Sequence, residues 1–115
     1  MPLPPIYQQL KQFLTSFEQE LTMTEHKTPV TGIEKQIENF IAEIPRTFDD
    51  MEPLARSLGV EIHKQFHLLK NDLLFWHTAR QMETKTQRWQ NIQQRLATLN
   101  LYVQQLLSLE HSPQK

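Results

Sequence analysis

The sequence predicts an all-α protein, an antiparallel helical bundle ending in a long, coiled-coil-like C-terminal helix. Three observations carry that prediction. Apolar residues recur at steps of three and four, the spacing that gathers them on one helix face. Glycine is scarce, with two residues in 115, and a sheet protein of this size needs more for its turns. No proline interrupts the stretch from Pro53 to Leu109. At 13.7 kDa the chain is long enough for one domain with a modest core.

The first helix is expected from about Pro5 to Met23. Proline suits a first turn, where its missing N–H has no helical partner in any case. Ile6, Leu10, Phe13, Leu14, Phe17 and Leu21 then share a face, and glutamines and glutamates fill most of the rest. The run "TEHKTPVTG" breaks the pattern. A second helix is expected over about Val30 to Glu43, its stripe formed by Ile33, Ile37, Phe40, Ile41 and Ile44. Thr28 before Pro29, or Thr31 with Glu34 three residues on, can cap its start. Pro45 stops it, because proline disfavours helical geometry in the residue before it. "PRTFDD" reads as a loop, with Asp49 or Asp50 capping a third helix and Glu52 adding negative charge to its first turn.

From Asp50 the apolar rhythm continues. Ile62, Phe66, Leu69, Leu73 and Trp76 step by 4-3-4-3. A second seam runs through Ala79, Met82, Thr86, Trp89, Gln93, Leu96, Leu99, Val103 and Leu106. Two successive steps of three join them, Leu73 to Trp76 to Ala79, a skip that shifts a coiled-coil seam without breaking the helix. Gly59 costs roughly 1 kcal/mol against alanine in a helix interior but need not end one. A continuous helix from Asp50 to Leu109 is therefore expected, about 90 Å long at roughly 1.5 Å per residue. The first two helices laid end to end cover only about 50 Å of it. The uncovered stripe, with Trp89, Leu96, Leu99 and Val103, then requires a partner, most simply a second copy in a homodimer. The alternative is a turn near Glu83 to Thr86, where Thr84 and Thr86 are weak helix formers, giving a four-helix bundle.

Composition narrows the function classes. A net charge of −1 gives no overall pull toward nucleic acid or anionic lipid. The absence of cysteine excludes disulfides and thiolate metal sites and fits a reducing compartment. The start "MPLPPIYQQLKQF" lacks the basic and apolar regions of a signal peptide, and no window reaches a membrane-spanning length of apolar residues. A cytoplasmic location without membrane association is the expectation.

Chemistry-bearing clusters are few. His63 and His67 share a helix face at the spacing of a zinc-binding pair, but Lys64 stands where the zincin motif needs glutamate, and spacing fixes no third ligand. His77 has no serine or cysteine nucleophile in a recognisable motif. Asp49, Asp50 and Glu52 are more simply caps than a catalytic pair. No catalytic residue, metal site or cofactor site is expected. Arg80, Lys85, Arg88 and Arg95 interleave with Trp89, with Glu83 interrupting them, a composition suited to a protein hot spot, to a merely solvated face or to single-stranded nucleic acid. Phe75 and Trp76 are adjacent and point about 100° apart, so one can fill the seam while the other reaches a second neighbour. Both are expected in the core, held by the first two helices, and whichever is exposed is the first candidate for touching a partner. The expected contact residues are Phe75, Trp76, Arg80, Arg88, Trp89, Leu96, Leu99 and Val103.

The proline-led first helix "PPIYQQLKQFLTSFEQEL", the isoleucine-rich second helix and the Gln-rich "QRWQNIQQRLATLNLYVQQLL" together resemble the PatD family of cyanobacterial heterocyst frequency control proteins. That resemblance implies a non-enzymatic developmental regulator that limits how many cells differentiate and modulates assembly of the tubulin-like division protein FtsZ. It transfers no binding motif, so the contact residues above rest on the seam pattern alone. A small helical nucleic-acid-binding regulator is the alternative.

Overall fold

Pro4 and Pro5 lend their carbonyls to the first turn of a helix, accepting from the backbone N–H groups of Tyr7, Gln8 and Gln9. From that start a computed structural model, which describes residues 3–24 and 30–110 and the side chains among them outside 20–24 and 30–31, shows four α-helices and a 3-10 segment. They are α1 (Ile6–Thr24), α2 (Val30–Glu43), the 3-10 segment Ile44–Asp50, α3 (Pro53–Thr78) and α4 (Met82–Glu110). Thr28 and Pro29 lie outside the described residues, as do the side chains of Leu21 and Thr31.

α3 and α4 form an antiparallel hairpin, with α1 laid on α4 and α2 on α3. Side-chain pairs fix the directions. The Leu3 N–H donates to the Glu110 carboxylate at 2.9 Å, and Asn100 donates to Glu18, so α1 runs against α4. Lys70 meets Glu38 at 3.3 Å, and His63 Nε2 donates to the Ile41 carbonyl at 3.0 Å, so α2 runs against α3. Phe13 and Phe17 of α1, Phe40 of α2 and Phe66 of α3 pack with ring centroids 5.3–6.3 Å apart and join the helices at the core. The helical faces expected from the spacing are the buried ones: Leu10, Phe13, Leu14 and Phe17; Ile33, Ile37 and Ile44; Ile62, Phe66, Leu69, Leu73 and Trp76.

The expected continuous helix is corrected. Ala79 at φ −67°, ψ 134° is extended, Arg80 and Gln81 complete the reversal, and α4 restarts with the Lys85 N–H on the Gln81 carbonyl. The chain is 54 Å long rather than about 90 Å. The turn falls at the skip between the two seams, four residues before the alternative position at Glu83. Folding back lets the first seam cover the second within one chain. An intramolecular contact at high effective concentration outcompetes the same contact between two molecules. The α4 seam is also corrected in register. Ile92 is fully buried in place of the expected Gln93, and Met82 and Thr86 face outward.

Two local expectations change as well. "IPRTFDD" forms the 3-10 segment rather than an irregular loop. Arg56 holds its end, donating from Nε to the Phe48 carbonyl and from Nη2 to the Met51 carbonyl at 2.8 and 2.9 Å. The Thr47 hydroxyl donates to the Ile44 carbonyl at 2.7 Å and accepts from the Tyr7 phenol at 2.9 Å. Burial pushes the Tyr7 phenol above its ordinary value of 10, while the bond to Thr47 pulls it down. The N-cap of α3 is Glu52, with no side-chain capping bond, rather than Asp49 or Asp50. Pro53 at the first helical position compensates, since its φ is already set for the helix.

Gly59 marks the closest approach of this region. A Cβ there would sit 3.0 Å from Phe48 Cε1 and 3.1 Å from the Tyr7 hydroxyl oxygen. Gly59→Ala is expected to destabilise the chain by about 1 kcal/mol, although helix propensity alone favours alanine by roughly that amount. A urea midpoint above that of the parent would show that the two rings yield freely.

Candidate contact surface at the α3–α4 hairpin end

The turn gathers at one end of the bundle five of the eight expected contact residues: Phe75, Trp76, Arg80, Arg88 and Trp89. Trp76 is 4% exposed and stacks on Trp89 with centroids 5.4 Å apart, so the two tryptophans close the end of the seam. The expectation that Phe75 is also core is corrected: it points away from Trp76 and is 49% exposed, its direction on α3 being turned from the seam. The Arg88 guanidinium lies over its ring at 4.6 Å, and the Lys85 ammonium lies over Trp76 at 5.4 Å. Leu74 at 53% and Met82 at 77% exposure add apolar surface on either side of the turn. A surface hollow of about 170 Å³ opens between Trp76, Met82, Lys85 and Thr86.

The other three expected contact residues are corrected. Leu96, Leu99 and Val103 are at most 2% exposed, buried in α4 against the rest of the bundle. They are core positions of a single chain, and the α4 seam is not available to a second copy.

Sequence reasoning missed the residue that organises this end. Asp72 is 5% exposed and is the buried charged residue among those described. Arg88 Nη1 donates to its Oδ1 at 3.3 Å and Arg95 Nε to its Oδ2 at 3.1 Å. The two arginines are seven residues apart, two turns along one face of α4, so one carboxylate on α3 can meet both. An acidic residue inside "LLKNDLLFW", opposite arginines at that spacing, is the sequence pattern that marks it. A carboxylate that must meet two arginines also fixes the register of the hairpin, as a displaced pairing leaves it buried and unpaired.

The same pairing bears on nucleic acid. Of Arg80, Lys85, Arg88 and Arg95, two are engaged by Asp72 and Lys85 lies on Trp76. With Arg88 and Arg95 paired, Arg80 and Lys85 are left of the four, a poor platform for tracking phosphates.

The histidine pair packs edge to face at 4.7 Å between ring centroids. His63 uses Nε2 to tie α3 to the end of α2, a structural task. Burial, the facing His63 and Lys70 hold His67 below its ordinary value of 6.5, so it is neutral at pH 7. Among the described residues no three histidine, aspartate or glutamate side chains gather as a metal site would require. Among the same residues, no helix is long and apolar enough to cross a membrane.

No family model matches the chain, and no curated protein or solved structure matches it.

Proposed function

We propose that this protein is a non-enzymatic regulator that works by protein–protein contact through the α3–α4 hairpin end. One observation carries the reading. The helical seams are closed on one another, yet Leu74, Phe75 and Met82 are each exposed close to the turn that carries Arg80. Aromatic residues, methionine and arginine are enriched at protein interfaces.

The resemblance to the PatD family supplies the partner to test first, FtsZ, and a cytoplasmic place of action. Sedimentation of polymerised FtsZ with and without the purified chain is the direct assay. The chain is expected to change the pelleted fraction, and Phe75→Ser combined with Arg80→Glu is expected to remove that effect. Both residues are exposed, so the double variant should lose no more than about 1 kcal/mol of stability, mostly the stacking of Arg88 on Phe75. A variant as effective as the parent would place the contact elsewhere. Added salt separates the nucleic-acid alternative, since phosphate binding weakens steeply with ionic strength. Any pairing with a second copy uses a surface other than the buried α4 seam of Leu96, Leu99 and Val103, and whether such pairing occurs is open to measurement. Solution mass by light scattering reads that directly.

A further inference from the structure

We infer that the hollow between Trp76, Met82, Lys85 and Thr86 receives one apolar side chain, of leucine or phenylalanine size, from an acidic segment of a partner protein. The inference rests on the hairpin end being the contact surface.

Size sets the occupant. A cavity of about 150 Å³ lined by apolar side chains holds one benzene. The hollow, at about 170 Å³, takes a single ring or branched aliphatic group and not a helix face. Its walls suit that group. Trp76 offers a rigid indole, and Met82 is the most exposed large apolar side chain among those described. Its unbranched thioether can close over an occupant.

Charge sets the flanks of the occupant. Residues 72–95 hold four arginine or lysine side chains and two carboxylates, a net +2 in a chain of net −1. The rest of the chain therefore carries −3. Asp72 is spent on Arg88 and Arg95. In the turn and the first turn of α4 the other charged residues are Arg80, Glu83 and Lys85, and Lys85 lines the hollow with its ammonium over the Trp76 ring. Carboxylates on either side of the inserted side chain meet Lys85 and Arg80, whereas lysines there meet like charge.

Titration of the full chain with three short amidated peptides tests this, read by the Trp76 indole resonance and by tryptophan fluorescence. One peptide has phenylalanine flanked by aspartates, one has the same phenylalanine flanked by lysines, and one has serine flanked by aspartates. The first is expected to saturate in the low-millimolar range and to bind about tenfold more tightly than the other two. Thr86→Trp fills the hollow from an exposed position and is expected to weaken the first peptide about tenfold. Lys85→Glu is expected to reverse the preference between aspartate and lysine flanks. No saturable shift, or equal binding of all three peptides, overturns the inference. Binding that maps to Phe75 and Arg80 but ignores Thr86→Trp overturns the hollow while leaving the contact surface standing.

Discussion

Leu99→Asp is expected to unfold the whole chain rather than to split a dimer. Leu99 is fully buried in α4, the helix that touches both α1 and α3. Removing a buried leucine side chain costs about 2–5 kcal/mol. The carboxylate adds a further cost of several kcal/mol, because the described core residues offer no cation there to pair with it. A domain of this size has about 5–15 kcal/mol in total, so the sum consumes most or all of it. Far-UV circular dichroism should lose helicity across the chain, while Leu99→Ala should lower the urea midpoint by a measurable step. Were Leu99 instead on an exposed arm, Leu99→Asp would leave the helices intact and change only the mass in solution. The single substitution therefore separates the folded-back hairpin from the continuous rod.

A comparably large effect is expected at the buried ion triad, with an asymmetry that the geometry dictates. Replacing Arg88 and Arg95 together by methionine leaves Asp72 desolvated without a partner, a cost of about 3–5 kcal/mol. Asp72→Asn is expected to cost less, about 1–2 kcal/mol. The arginine side chains are 34% and 35% exposed, so water can take over what the carboxylate gave up. Asp72 itself, with a side chain 7% exposed, has no such recourse. Adding Asp72→Leu to the double methionine variant should restore most of the lost stability, since an apolar trio of similar volume replaces the charges. Chemical denaturation of the four proteins measures all of this. Equal costs from the two sides would mean that the carboxylate reaches water and that the triad does not fix the hairpin register.

Much of the architecture was legible because helix periodicity is a local property. The stripe through Leu10, Phe13, Leu14 and Phe17, and the one through Ile62, Phe66, Leu69, Leu73 and Trp76, are the faces the bundle buries. Val30–Glu43 is the helix that its isoleucines and Pro45 indicate. Tyr7 was missed because it sits beside the stripe. Its burial depends on a hydroxyl partner, Thr47, forty residues away. The hairpin end was half legible: Trp76 is buried as its seam position indicates, but Phe75, expected in the core as well, is exposed, because spacing shows that it diverges from Trp76 and not whether a second helix covers it.

The sequence by itself determined that this chain is helical, where most helices run, and that the stripe from Ile62 to Leu106 had to be covered by something. Only the tertiary structure decided that the stripe covers itself. The turn at Ala79 to Gln81 needs no glycine or proline, because Ala79 takes an extended backbone open to any residue. Nothing local therefore distinguishes those three residues from a helix. The choice is made by the gain from docking two apolar seams and one buried carboxylate within the same molecule, a sum over residues far apart in the chain.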